Sequence, residues 1–97
     1  VATMTINISG YTEFTLYVRS NGENNYDYVT VSELDTPNSV KYTAKGKANS
    51  GTSISSYTAV TYSGIDGGNH TITIKYSKDV SKHSGTDRGY VLIPKQQ

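Results

Sequence analysis

The feature that most constrains the fold is a strict alternation of apolar and polar residues in short segments of the chain. It is clearest at His70–Tyr76, where isoleucines alternate with polar residues, and it recurs at Asn25–Val31 and Asp87–Val91. Successive side chains of a β-strand point to opposite faces, so this period of two is typical of a strand with one face in a core and one in water. No segment shows helical spacing of any length. The sequence therefore predicts an all-β protein.

The predicted strands are short and are separated by turns rich in glycine, asparagine and aspartate. Strands are predicted over 3–9, 13–20, 26–32, 54–62, 69–77 and 88–93. A turn is predicted over 35–38, and a further strand at Val40–Ala44 competes with a long loop that ends at Thr52. Short strands with turns at intervals of about 8–12 residues are typical of a sandwich or barrel. We predict one domain over residues 1–97, an antiparallel, jelly-roll-like β-sandwich of seven or eight strands.

The same alternation predicts which side chains face the core. His70 shares the parity of Ile72 and Ile74, and it is predicted to be a core or rim histidine and not a metal ligand. The predicted inward residues of the first three strands are Met4, Ile6, Ile8, Phe14, Leu16, Val18, Val29 and Val31. The predicted outward residues include Thr15, Tyr17 and Arg19, and Tyr26 and Tyr28 are predicted to lie outward or at the rim.

One charged residue falls on an inward position. Asp27 has the parity of Val29 and Val31, so we expect its carboxylate to be buried. A buried carboxylate needs a partner, and Arg88 at the start of the last strand is the natural candidate. We predict an Asp27–Arg88 ion pair that ties the third strand to the last.

Composition excludes several classes of function. The chain has no cysteine, which rules out a disulfide, a thiolate nucleophile and a cysteine-ligated zinc site. The net charge is +1 and the lysines form two loose clusters, so nucleic-acid binding is not expected. No stretch approaches the ~18 apolar residues of a membrane helix, and no membrane insertion is expected. The chain starts abruptly inside a predicted strand, which is typical of a piece of a longer protein or of a mature product.

The polar segment Ser77–Asp87 is far longer than a hairpin needs, and long loops in compact domains are often functional. Asp79 and Asp87 supply the oxygen ligands that calcium prefers. The favoured alternative is that Asp79 caps a turn and Asp87 pairs with an arginine. Neither a catalytic triad nor a pair of glycosidase carboxylates is recognisable, because the candidate residues share one loop or lie without a cleft between them. We predict that the protein is not an enzyme.

Tyrosine is the dominant aromatic residue, with nine tyrosines against one phenylalanine and no tryptophan. Tyrosine has a high β-propensity, so these residues are expected to cover a β surface in any case. They also suit a contact surface, because sugar rings stack on aromatic faces and the hydroxyl groups remain available for hydrogen bonds. The predicted ligand-binding residues are Tyr17, Tyr26, Tyr28 and Tyr57, with Asn25 and Lys75 supplying hydrogen bonds.

Three runs resemble a known class of module: YDYV at 26–29, GNHTITIKYSKD at 68–79 and GTDRGYV at 85–91. They resemble small β-sandwich modules in surface and virion proteins of gut bacteria and their phages. They are also loosely similar to jelly-roll carbohydrate-binding and complement-type adhesion domains. The resemblance implies a non-catalytic accessory module of an extracellular, cell-surface or virion protein that recognises glycans, with calcium beside the sugar site in some members. The alternative is a structural spacer or assembly domain that contacts other proteins.

Overall fold

The computed structural model of the chain describes residues 2–21, 27–46, 56–77 and 88–96. All the regular elements in these ranges are β-strands, as the alternation predicts. The seven strands are β1 (Ala2–Ile8), β2 (Phe14–Asn21), β3 (Tyr28–Glu33), β4 (Thr36–Lys45), β5 (Thr58–Tyr62), β6 (His70–Ser77) and β7 (Arg88–Leu92).

The strands form two antiparallel sheets in a sandwich-like arrangement. The four-stranded sheet has the order β1-β6-β3-β4, and the three-stranded sheet has the order β5-β2-β7. Only β3 and β4 are both consecutive in the chain and paired, while the other pairings join strands that are distant in sequence. The all-β class is therefore confirmed in two antiparallel sheets, whereas the jelly-roll order and an eighth strand remain predictions.

The core lies between the sheets and is built from the inward residues of the central strands. Burial of these side chains is the main favourable term in folding, at roughly 25 cal/mol per Å² of apolar surface removed from water. The alternation predicted these positions of β2 and β3, and it gives the same parity to the isoleucines of β6. The most deeply buried apolar residues include Phe14, Leu16, Val18, Val29, Val31 and Ile72.

The edge strand β1 follows the prediction only in part. Ile8 is buried and Ile6 packs against the core, but Met4 is 45% exposed although it was predicted to face inward. Met4 has the same parity as Ile6 and Ile8, so its side chain is on the inner face of the sheet. The three-stranded sheet leaves this end of β1 partly uncovered.

The middle of the chain is a strand. Thr36–Lys45 forms β4, so Val40–Ala44 lies in a strand and the alternative that it belongs to a long loop is wrong. The predicted turn over 35–38 is also displaced, because the hairpin turn consists of Leu34 and Asp35, and Asp35 has a φ of 59°. Pro37 lies within β4, where it is tolerated because β4 is an edge strand of its sheet.

Candidate functional site

The predicted ligand-binding residues do not lie on one surface. Tyr17 projects from the outer face of the three-stranded sheet, and Tyr57 lies on the same side against Arg19. Tyr28 and Lys75 project from the outer face of the four-stranded sheet, on the opposite side of the domain. The remaining predicted site residues, Asn25, Tyr26, Asp79 and Asp87, are outside the described residues.

Arg19 lies on the outer face of β2, as predicted, but its side chain is not exposed to water. It is only 5% exposed, because aromatic rings cover it. Its guanidinium carbon lies 4.2 Å from the ring centroid of Tyr90 and 5.4 Å from that of Tyr57. A guanidinium within about 6 Å of an aromatic ring is attracted by the ring quadrupole. Arg19 therefore joins the two tyrosines into one aromatic surface on the outer face of the three-stranded sheet.

A cleft of about 410 Å³ continues this outer face along β2. Tyr17 is half-buried in it, and Glu13 and Lys95 bring exposed charges of opposite sign. Tyr17 lies between Thr15 and Arg19 on the same parity, so the cleft and the arginine–tyrosine stack are neighbours. The cleft is lined by Glu13, Thr15, Tyr17, Pro94, Lys95 and Gln96.

The side chain of Gln96 fixes one wall of the cleft. Its Nε2 donates to the carbonyl oxygen of Thr15 at 2.9 Å, and its Oε1 accepts from the amide of Thr15 at 2.9 Å. The same Nε2 also donates to the carbonyl oxygen of Pro94 at 2.7 Å. Pro94 has no backbone donor and follows the end of β7, so the amide of Gln96 takes over the pairing with β2. This arrangement holds the segment after β7 against the sheet.

Several residues that build this surface could not be recognised from the sequence as candidates for ligand binding. Arg19, Tyr90 and Gln96 were not among the predicted ligand-binding residues. The alternation placed Arg19 on the same face as Tyr17, and Tyr90 alternates with Gly89 and Val91 in the last strand. The pairing of Arg19 with Tyr90 depends on the register between β2 and β7, which no local pattern encodes.

His70 lies between two carboxylates at one end of the sandwich. Its Nδ1 is 2.5 Å from Asp35 Oδ2, and its Nε2 is 2.6 Å from Asp66 Oδ1. The hydrogen bonds to Asp35 and Asp66 raise the pKa of His70, and the pKa values of both aspartates are lowered mainly by their bonds to His70. The His70 side chain is 17% exposed, which confirms the prediction of a rim histidine.

This histidine bridge ties three parts of the chain together. Asp35 belongs to the β3–β4 turn, Asp66 to the loop before β6, and His70 is the first residue of β6. Asp35 Oδ1 also accepts from the amide of Thr71 at 2.9 Å, and Asp66 Oδ1 accepts from the amide of Gly68 at 2.8 Å. Both ring nitrogens are engaged by carboxylates, and the described part of the chain holds no group of side chains arranged to bind a metal ion.

Asp27 is fully buried, as its parity predicts. Its carbonyl oxygen accepts a hydrogen bond of 3.1 Å from Ser20 Oγ, which links the end of β2 to the start of β3. The backbone of Arg88 pairs with Asn21, which places the start of β7 beside the end of β2. The side chain of Arg88 lies outside what the structure describes, so the Asp27–Arg88 ion pair stays a prediction.

Comparison with known proteins does not place the chain in a family. No family model matches the sequence, and no curated protein or solved structure matches it either. The resemblance to small surface and virion modules therefore stays a prediction. Among the described residues, no helix has the length and apolar character needed to cross a membrane.

Proposed function

We propose that this domain is a non-catalytic binding module that recognises glycans through the outer face of its three-stranded sheet. The observation that carries the proposal is the cleft beside β2, in which Tyr17 lies next to a wall fixed by Gln96. The ligand site then extends from the cleft to the stack of Arg19 with Tyr57 and Tyr90. Tyr28 and Lys75 are outside this site because they project from the other sheet.

The chemistry of the cleft supports a sugar ligand. An aromatic ring offers a flat apolar surface to the C–H face of a pyranose, while polar groups around it form hydrogen bonds with the hydroxyls. Tyr17 supplies the ring, and the exposed Glu13 and Lys95 supply an acceptor and a donor. The volume of about 410 Å³ lies within the roughly 300–1,000 Å³ typical of small-ligand sites.

Pre-organisation also supports binding at this face. The Gln96 amide is held by three hydrogen bonds, and the rings of Tyr57 and Tyr90 are held by the buried Arg19. A surface whose side chains are already ordered loses less conformational entropy when a ligand binds. The site therefore suits a rigid, hydroxyl-rich ligand.

The second candidate is a structural spacer or assembly domain that binds neighbouring protein chains. It is favoured by the distribution of the tyrosines, since Tyr17 and Tyr28 lie on opposite outer faces. A dedicated ligand site concentrates aromatic residues on one surface, whereas a spacer distributes them over both. The extracellular, cell-surface or virion setting is part of both proposals.

A glycan-array screen with matched tyrosine variants tests the proposal. Wild-type protein, Tyr17→Ala and Tyr28→Ala are applied to the same array, once with calcium and once with a chelator. We expect selective binding that is lost in Tyr17→Ala and retained in Tyr28→Ala, because both tyrosines are half-buried but only Tyr17 lies in the cleft. Thermal unfolding of each variant checks that the fold is intact. A blank array for the wild type in both conditions would refute glycan recognition and favour the spacer.

A further inference from the structure

An apolar groove of about 270 Å³ runs between β1 and β7, at the side where the three-stranded sheet ends. Its walls include Met4 from β1, Ile74 from β6 and Val91 from β7. Gly89 lets β7 approach the other sheet, since a Cβ at this position would lie 2.7 Å from Val29 Cγ2. The groove leaves the inner side of β1 open, which is why Met4 is exposed in a strand whose other end is buried.

The outer edge of β1 is a regular, uncharged strand edge. The strand Ala2–Ile8 pairs with β6 on one side in a register without a bulge, and within the described ranges no strand pairs with its other side. Its sequence, ATMTINI, contains no charged residue and no proline. Unpaired edges of this kind are templates for pairing with another chain, and natural proteins commonly block them with lysine, proline or a bulge.

The opposite edge of the same sheet has all of these blocking features. β4 contains Pro37, Lys41 and Lys45, and its register with β3 shifts twice near Ser32. Antiparallel pairing of β4 with a second β4 about Thr43 would place Lys41 of each copy opposite Lys45 of the other, whereas pairing of β1 with a second β1 brings no charges together in any register. The charge distribution therefore distinguishes the two edges and favours self-association through β1.

We propose that two copies of this chain associate through antiparallel pairing of their β1 strands around a two-fold axis. With the axis at Thr5, Met4 of each copy lies beside Ile6 of the other, and Thr3 lies opposite Asn7. The apolar inner stripe and the polar outer row thus continue from one copy into the next, and the two four-stranded sheets become one sheet of eight strands. Such an interface is isologous, because the same surface serves both copies. Ile6 and Ile8 of the second copy then lie beside Met4 and Ala2, which line the open side of the groove.

Sedimentation equilibrium over a concentration series, without glycan, tests this dimer. The main variant is Thr5→Lys, which places two like charges directly opposite each other at the axis, and its control is Thr43→Lys on the blocked edge. Both threonines are exposed on the outer face of the same sheet. We expect the wild type and Thr43→Lys to form dimers as the concentration rises and Thr5→Lys to stay monomeric.

A second pair of variants distinguishes loss of the dimer from loss of the fold. Met4→Lys and Val40→Lys each introduce a lysine at an exposed apolar position, 45% and 58% exposed, on the unblocked and the blocked edge. We expect only Met4→Lys to abolish the dimer. A wild type that remains monomeric throughout the series overturns the proposal, as does a dimer that Thr43→Lys or Val40→Lys disrupts as strongly as the β1 variants do. Because no glycan is present, this result is independent of the array screen.

Discussion

Removal of the Tyr62 hydroxyl tests the link between the two sheets. Tyr62 in β5 is buried, and its hydroxyl donates to the carbonyl oxygen of Ser32 in β3 at 2.6 Å. Burial raises the pKa of Tyr62, with a smaller contribution from the charge of Glu33, so the hydroxyl remains a protonated donor at all ordinary pH values. Ser32 is also buried and lies where the register between β3 and β4 shifts, so its carbonyl group relies on a partner from outside the regular ladder.

The expected magnitude for Tyr62→Phe follows from this geometry. The ring is retained, so the apolar packing and the contact with Lys41, whose Nζ lies 4.9 Å from the ring centroid, are kept. The loss is the hydrogen bond, and it leaves a buried acceptor without this donor. Such a loss costs about 1–3 kcal/mol. In a domain of this size we expect Tm to fall by about 4–8 °C for each kcal/mol.

Urea unfolding and thermal unfolding measure the effect, and an unchanged m-value shows that the variant differs in stability alone. The matched control is Tyr42→Phe, which removes another tyrosine hydrogen bond between the sheets, from Tyr42 to Thr58 Oγ1 at 3.3 Å. That bond is exposed, so we expect a change below about 0.5 kcal/mol. Equal losses in the two variants, or no loss in Tyr62→Phe, would refute the argument that burial sets the cost of removing this hydroxyl.

Two further predictions concern the histidine bridge and the approach of the sheets. The pKa of His70 is raised above the ordinary histidine value of 6.5. The histidine bridge therefore contributes its full stability at pH values below 6.5, and this contribution is lost as the pH rises through the folded-state pKa. Urea unfolding across this pH range should show that the free energy of unfolding of the wild type decreases as the pH rises, whereas that of His70→Gln does not. If the free energies of both proteins changed with pH in parallel, the prediction would be wrong. Gly89→Ala should lower the free energy of unfolding by about 1–3 kcal/mol, because the new Cβ would overlap Val29. Unchanged urea unfolding would show that the sheets can separate at this point without cost.

The central strands could be predicted from the sequence because each has one buried face. Leu16 and Val18 in β2 and Val29 and Val31 in β3 are all buried, and the same alternation buries Ile72 in β6. In such strands a shift of one residue would move every apolar side chain into water, so the pattern determines the parity.

The strand β4 could not be predicted in the same way. It is an edge strand, and its residues are mostly exposed, so selection for apolar alternation is weak there. Pro37 and the bulge beside Ser32 also interrupt the period of two. The hairpin turn at Leu34 and Asp35 contains no glycine that would mark it in the sequence, because aspartate itself tolerates a positive φ.

The candidate site was only half predictable for a different reason. Parity placed Tyr17 on an outer face, but parity cannot tell which of two sheets a strand joins. Tyr28 also faces outward, yet it belongs to the other sheet. Tyr90, which packs on Arg19, and Gln96, which bonds to Thr15, lie near the end of the chain and contact β2 only in the folded structure. Such contacts are set by tertiary pairing and leave no local trace.

The two proposed surfaces are separate, and this separation makes them compatible. The cleft with Tyr17 lies on the outer face of the three-stranded sheet, whereas the proposed dimer uses the β1 edge of the four-stranded sheet. No residue is shared between them, so pairing through β1 leaves both clefts open to solvent. A dimer would then carry two equivalent clefts, and a repeating glycan that reached both would bind more tightly than one cleft allows. The assembled protein would then attach to such a glycan more firmly than a single copy does.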